Sequence, residues 1–194
     1  MIEFEKLFLL SAATSRNPVV LNPVVPIADP FRLYRAEDVP AAPIEFKHIQ
    51  GDKWGDMVGT GWPPLTLVSR RFADLLRTRG YSGWASYPVS LDRIKQVPVE
   101  NEYEGLAITG RCGPFLEHLS TPIIQAPVAP GGDEMPAFRG LFFEPASWDG
   151  RDIFVAENYG RAICVEAVKC ALEDSGMTNI RFVRLTEFER MWKF

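Results

Sequence analysis

Proton transfer near neutral pH is most often the work of histidine, and this 194-residue chain has two, His48 and His118. His48 falls on the apolar side of an alternating stretch, Ile44-Glu45-Phe46-Lys47-His48, which points to a structural imidazole satisfied inside the fold. His118 follows Glu117 in a proline-rich region, where it could act as base to the Cys112 thiol, although the spacing does not demand that pair. Cys112, Cys164 and Cys170 are odd in number, so a complete disulfide framework is excluded and reduced, buried thiols are expected. Cys164 and Cys170 stand six apart on a predicted helix and point different ways. The sequence has no Cys-x-x-Cys, no His-x-x-x-His and no Asp-x-Asp-x-Asp-Gly, so no metal site is expected. Gly59-Thr60-Gly61 runs into Trp62-Pro63-Pro64 instead of a helix start, which is not a phosphate loop. No catalytic set and no cofactor are predicted; a glycosidase-style carboxylate pair, being set by tertiary geometry, stays open.

Binding is the chemistry these residues favour. Aromatic side chains supply energy at a desolvated contact, and neighbouring acids steer a basic partner. Asp133, Glu134, Trp148, Asp149, Asp152, Glu157 and Tyr159 cluster in one stretch, and Trp54 and Trp62 flank Asp56 in another. These ten residues are the candidate partner-binding set. The competing reading makes the tryptophans core and the acids solvating. A net charge of −4 argues against a nucleic-acid partner. No run of 18 apolar residues exists, and Glu3 and Glu5 stand where a signal peptide needs positive charge. No membrane association is expected, and a cytoplasmic location follows by default.

The elements that must position these residues suggest an α/β (α+β) fold. A hydrophobic share of 46% and a charged share of 24% are ordinary for a globular chain, and residues 1–194 fit a single domain. Strands are expected over residues 2–10, 43–49, 105–111 and 140–144. Two Pro-rich loops, 15–31 and 113–137, interrupt them, the second with an exposed tip at Pro130–Glu134. Two helix–turn–strand units stand near 67–91 and 163–187, packed with a mixed, largely antiparallel sheet. In the first, Val68, Phe72, Leu75 and Leu76 form one helix face, Thr66 or Ser69 caps the start, and Gly80 is the left-handed residue past the end. In the second, Val165, Val168 and Leu172 form the face and Gly176 ends it. Aligning the two glycines sets an offset of 96 residues (176 − 80), which suggests duplication. Arg70 and Arg71 at one helix start, and Glu173 and Asp174 at the other helix end, oppose the helix dipoles, which predicts a nearby carboxylate for the arginines.

Two passages carry a family resemblance. One runs from Trp54-Gly55-Asp56 through Pro64 to Leu67-Val68-Ser69-Arg70-Arg71-Phe72-Ala73-Asp74-Leu75-Leu76 and Gly80-Tyr81-Ser82-Gly83-Trp84. The other is Asp149-Gly150-Arg151-Asp152-Ile153-Phe154 with the helix and strand after it. Together they resemble the Imm11-type (DUF1629-like) immunity proteins and similar myxobacterial immunity proteins. The resemblance covers about half the chain. It implies a cytosolic protein, monomer or homodimer, that neutralises a cognate toxin protein by direct contact. The paired Cys-x-x-Cys-Gly motifs of some relatives are not present, since Cys112-Gly113 stands alone. A small thiol/histidine enzyme and a scaffold subunit are the alternatives.

Overall fold

Short runs of alternating apolar residues build most of this molecule from strands. The computed structural model describes residues 2–13, 16–91, 94, 97–99, 101–127 and 131–191. In chain order the strands are β1 (Leu7–Ala12), β2 (Val20–Pro23), β3 (Ile44–Gln50), β4 (Met57–Thr60), β5 (Thr66–Ser69), β6 (Trp84–Ser90), β7 (Tyr103–Ile108), β8 (Gly110–Cys112), β9 (Thr121–Gln125), β10 (Met135–Arg139), β11 (Ile153–Ala156), β12 (Ala162–Val165), β13 (Ile180–Arg184) and β14 (Glu189–Arg190). The helices are α1 (Pro30–Tyr34), α2 (Arg70–Thr78) and α3 (Glu166–Asp174). The fold is therefore mixed α/β, and mostly sheet.

Six strands close a barrel in the order β2-β3-β6-β7-β5-β4. Five more form an open sheet, β13-β1-β12-β11-β8, and three a small sheet, β14-β10-β9. Side chains alternate across each strand, so the barrel and the open sheet each feed two cores. Leu67, Val58, Leu21 and Phe46 fill the barrel. Their neighbours Val68 and Met57 face outward, join Phe8, Leu10 and Cys164 of the open sheet, and pack with Phe72 and Leu76 of α2 and Val168 and Leu172 of α3. The far face of the open sheet carries Leu7, Leu9, Phe154 and Ile163, covered by Phe115, Leu141 and Phe143.

The pairing registers recur along the chain. Strands β5 and β6 both run antiparallel to β7, and β12 and β13 both run antiparallel to β1. Leu67 opposes Gly105, and Ile163 opposes Leu9, an offset of 96 residues in each partner (163 − 67 and 105 − 9). The same offset relates Tyr87 on Gly105 to Val183 on Leu9. It also relates Met57 on Val68 to Ile153 on Cys164.

Two aspartates at that offset, Asp56 just before the barrel strand β4 and Asp152 just before β11 of the open sheet, each hold a turn that leads into a strand of the other sheet. The Asp56 carboxylate accepts hydrogen bonds from the Thr178 amide (2.7 Å) and hydroxyl (3.0 Å), from Ser69 Oγ (2.6 Å) and from Arg71 Nε (2.6 Å). Asp152 accepts from the Ser82 amide (2.8 Å) and hydroxyl (2.7 Å). Their carbonyls receive the amides of Ser69 and Val165 at 2.8 and 3.0 Å. Burial pushes the Asp56 carboxyl up, but the hydrogen bonds from Arg71, Ser69 and Thr178 outweigh it and hold the group below the usual carboxylate range. Arg71 also donates to the Gly176 carbonyl at 2.8 Å. Its unfavourable position at the start of α2 is thereby compensated by a carboxylate and by the last turn of α3. Arg70 pairs with Glu102 and Asp74.

Several expected elements are revised. A 3-10 turn, Phe4–Lys6, precedes β1, so the first strand starts at Leu7 and not near residue 2. Val68 and Val165 belong to strands, and the helices begin one or two residues later; Ser69 closes β5 and caps α2 by accepting from the Phe72 amide at 3.3 Å. Gly80 and Gly176 take left-handed φ values of 71° and 62°. Loop 15–31 contains β2 and the start of α1, and loop 113–137 contains β9 and most of β10. Pro122 is tolerated because β9 is a sheet edge, and Pro136 because β14 pairs with β10 only at Phe138 and Arg139. Residues 140–144 form no strand: Leu141 and Phe143 are buried, but their backbone joins no ladder. Pro130 lies outside the described residues.

Asp56→Ala is expected to lower the unfolding free energy by about 3 kcal/mol at pH 7, because it strands Thr178, Ser69 and Arg71 together. Since the folded carboxyl titrates below its unfolded value, that difference is complete above about pH 4 and shrinks as the pH falls further. Denaturant melts across pH check this, as does faster amide exchange at Thr178.

Candidate partner-binding site

A cleft of about 920 Å³ opens where several chain segments meet. Phe31 and Arg35 come from α1 and the residue after it, Pro63 and Pro64 from the β4–β5 loop, and residues 157–161 from the β11–β12 loop. A fourth segment, Phe188 to Met191 at and around β14, completes the walls. Asp29 fixes the first segment by capping α1, accepting from the amides of Phe31 (2.9 Å) and Arg32 (3.2 Å), with Pro30 at the helix start.

Backbone contacts pin the loop 157–161 to this segment. Arg35 Nη2 donates to the carbonyls of Glu157 (2.5 Å) and Ala156 (3.4 Å). Asn158 Oδ1 accepts from the Phe115 amide at 2.8 Å. Gly160 lets Phe31 approach: a Cβ there would sit 2.9 Å from the Phe31 ring. Tyr159 packs edge-on against Phe115 and Phe188, at 5.4 and 6.4 Å between centroids. Arg161 is exposed, its guanidinium 5.9 Å from the centre of the Phe188 ring. Glu189 is held by Arg139 (2.8 Å) and Gln125 (3.0 Å). The cleft thus joins exposed aromatic and aliphatic surface to the half-buried Arg35 and the exposed Arg161, with the buried Arg190 also in its lining.

Of the ten residues expected to bind a partner, Glu157 and Tyr159 line this cleft, and Trp62 is half-buried next to its Pro63 wall. The structure does not gather the other seven there. Asp56 is 5% exposed, and both it and Asp152 hold turns. Asp149 accepts from the amides of Arg111 (2.8 Å) and Arg151 (3.1 Å). Trp148 packs on Phe154 at 5.3 Å, and Trp54 packs on Tyr103 at 5.0 Å. Asp133 and Glu134 are exposed between β9 and β10. Reasoning from sequence missed Phe31, Arg35, Gly160 and Arg161. The adjacency Tyr159-Gly160-Arg161 was their one visible signal.

The thiol/histidine pair finds little support. Cys112 is 1% exposed, and burial pushes its thiol up to about 12, whereas a nucleophilic cysteine needs a lowered value. His118 is exposed, and no hydrogen bond joins it to Cys112 among the described residues. His48 is structural as expected, its Nε2 lying 2.6 Å from the Gly51 carbonyl. Cys164 sits on β12, not on the helix, and Cys170 is exposed. Among the described residues no group of three or more His, Cys, Asp or Glu could hold a metal ion, and no helix is long and apolar enough to cross a membrane.

No family model matches this chain, and no curated protein matches it.

Iodoacetamide at pH 7.4 should modify Cys170 rapidly and leave Cys112 and Cys164 untouched until the protein unfolds. Mass spectrometry should count one adduct in the native state, and early labelling of Cys112 would contradict its burial.

Proposed function

We propose that this chain is an immunity-type protein that acts in the cytoplasm by binding and blocking a cognate toxin protein. The observation that carries the reading is the cleft. Its walls combine exposed Phe31, the Tyr159 and Phe188 rings and three arginines, the side-chain types that dominate protein contacts. Capping at Asp29, the Arg35 contacts and the close Phe31–Gly160 packing pre-order these walls, so little conformational entropy opposes association. The resemblance of the two sequence passages to Imm11-type proteins supports the same reading. Most of those matched residues, such as Leu67, Val68, Phe72 and Leu76, lie in the core, so they speak for the scaffold and the cleft speaks for the contact.

The scaffold reading is that two helix–turn–strand units are copies of one ancestral unit. The shared 96-residue register of β4, β5, β6 and β7 with β11, β12, β13 and β1 supports it. So does the reciprocal use of Asp56 and Asp152.

The purified protein is expected to form a one-to-one complex with the product of an adjacent reading frame, and its expression to protect cells from that product. Phe31→Ala should weaken the complex at least about tenfold with the fold intact. Calorimetry and light scattering measure both. Absence of affinity for any neighbouring gene product would sink the reading.

A further inference from the structure

Three of the six acids expected to steer a partner are engaged within this chain instead. Asp56, Asp149 and Asp152 hold backbone amides of this chain. The cleft has the opposite character. On a chain of net charge −4, its lining carries Arg35, the exposed Arg161 and the buried Arg190 (7% exposed) against Glu157 and Glu189. One of those glutamates, Glu189, is already occupied by Arg139 and Gln125. Arg161 is exposed and makes no ion pair with any described carboxylate; its described contact is the Phe188 ring. Arg35 is anchored through Nη2 by backbone carbonyls, which orient its guanidinium without neutralising it. Beside these cations lie Phe31, 46% exposed, and Met191, 37% exposed.

We propose that the cleft receives a partner segment that presents a carboxylate next to an aromatic or aliphatic side chain, with Arg161 pairing with the carboxylate and Phe31 and Met191 covering the apolar neighbour. Charge complementarity selects this occupant. A basic segment would meet Arg161 and Arg35 as like charges, and a neutral apolar one would bury Arg161 without a counter-ion. A guanidinium suits this task because its planar fork matches a carboxylate in two hydrogen bonds and its face can rest on a ring. The proposal rests on reading the cleft as the surface that contacts the toxin.

The test uses the full chain and a defined probe, the acetylated peptide Glu-Phe-Glu-Leu-Glu-Phe, followed by amide NMR. Addition should shift the amides of Gly160 and Arg161, with binding in the sub-millimolar range. The peptide with Gln in place of Glu should bind at least about tenfold more weakly, and one with Lys should not bind. Arg161→Glu should abolish the shifts, and Lys47→Gln, exposed on β3 and outside the cleft, should leave them unchanged. Equal binding of the Glu and Gln peptides, shifts that map elsewhere, or no binding at millimolar peptide would overturn the proposal. A cognate toxin whose affinity is indifferent to Arg161→Glu would overturn it too, while leaving the immunity reading in place. Peptide binding without any toxin partner would do the reverse.

Discussion

The Asp56 carboxylate joins more of this molecule than any single apolar contact. It receives donors from the Thr178 turn, from the cap of α2 and from Arg71, which also reaches the end of α3. A buried carboxylate is costly unless its oxygens are satisfied, and these are met by five donor atoms. That condition fixes geometry. The amide of Thr178 reaches Asp56 because α3 ends at Asp174, Ser175 caps it and Gly176 turns the chain left-handed. Asp152 does the same for Ser82 after Gly80, across the other half. The central core of Val68, Phe72, Cys164 and Val168 is non-directional and would tolerate sliding. The aspartate bonds are directional, and they set the position at which the helices pack.

What was legible in the sequence was what local physics controls. The periodicity of Phe72 with Leu76, the cap at Ser69 and the two left-handed glycines mark α2 and α3 within a residue or two. Alternation likewise marks β3, with Phe46 inside and Lys47 outside. Val68 was drawn into the helix because a strand that leads directly into a helix leaves no break in apolar spacing. Residues 140–144 read as a strand because burial, not pairing, makes a sequence apolar; Leu141 and Phe143 are buried under the open sheet without joining it. Proline density hid β9 and β10, since a proline at an unpaired edge position costs no ladder bond.

The site was less legible for a different reason. An acid in a sequence gives no sign of whether it faces water or a backbone amide. Asp149 accepts from the Arg151 amide two residues on, as short carboxylates commonly do at turns, whereas Asp152 accepts from Ser82, 70 residues away, a contact that no local pattern marks. Phe31 and Arg35 are about 125 residues away from the loop they meet, and only the closed fold brings them together.

The cleft owes its form to the same scaffold. Its Pro63–Pro64 wall follows β4, and its Tyr159–Arg161 wall follows β11, strands at matching registers in the two halves. The two loops therefore leave equivalent positions of the fold and converge on one side of the molecule. At Leu65 the chain turns an apolar side chain inward, 2% exposed, whereas Arg161, 96 residues on, stays at the surface. At that one position the first loop serves the core and the second serves the cleft. A scaffold held by directional bonds can support that division, because a change in one loop need not shift the strands beneath it. Rigidity in the halves then becomes pre-ordering at their junction, where a partner gains most from finding its contacts already in place.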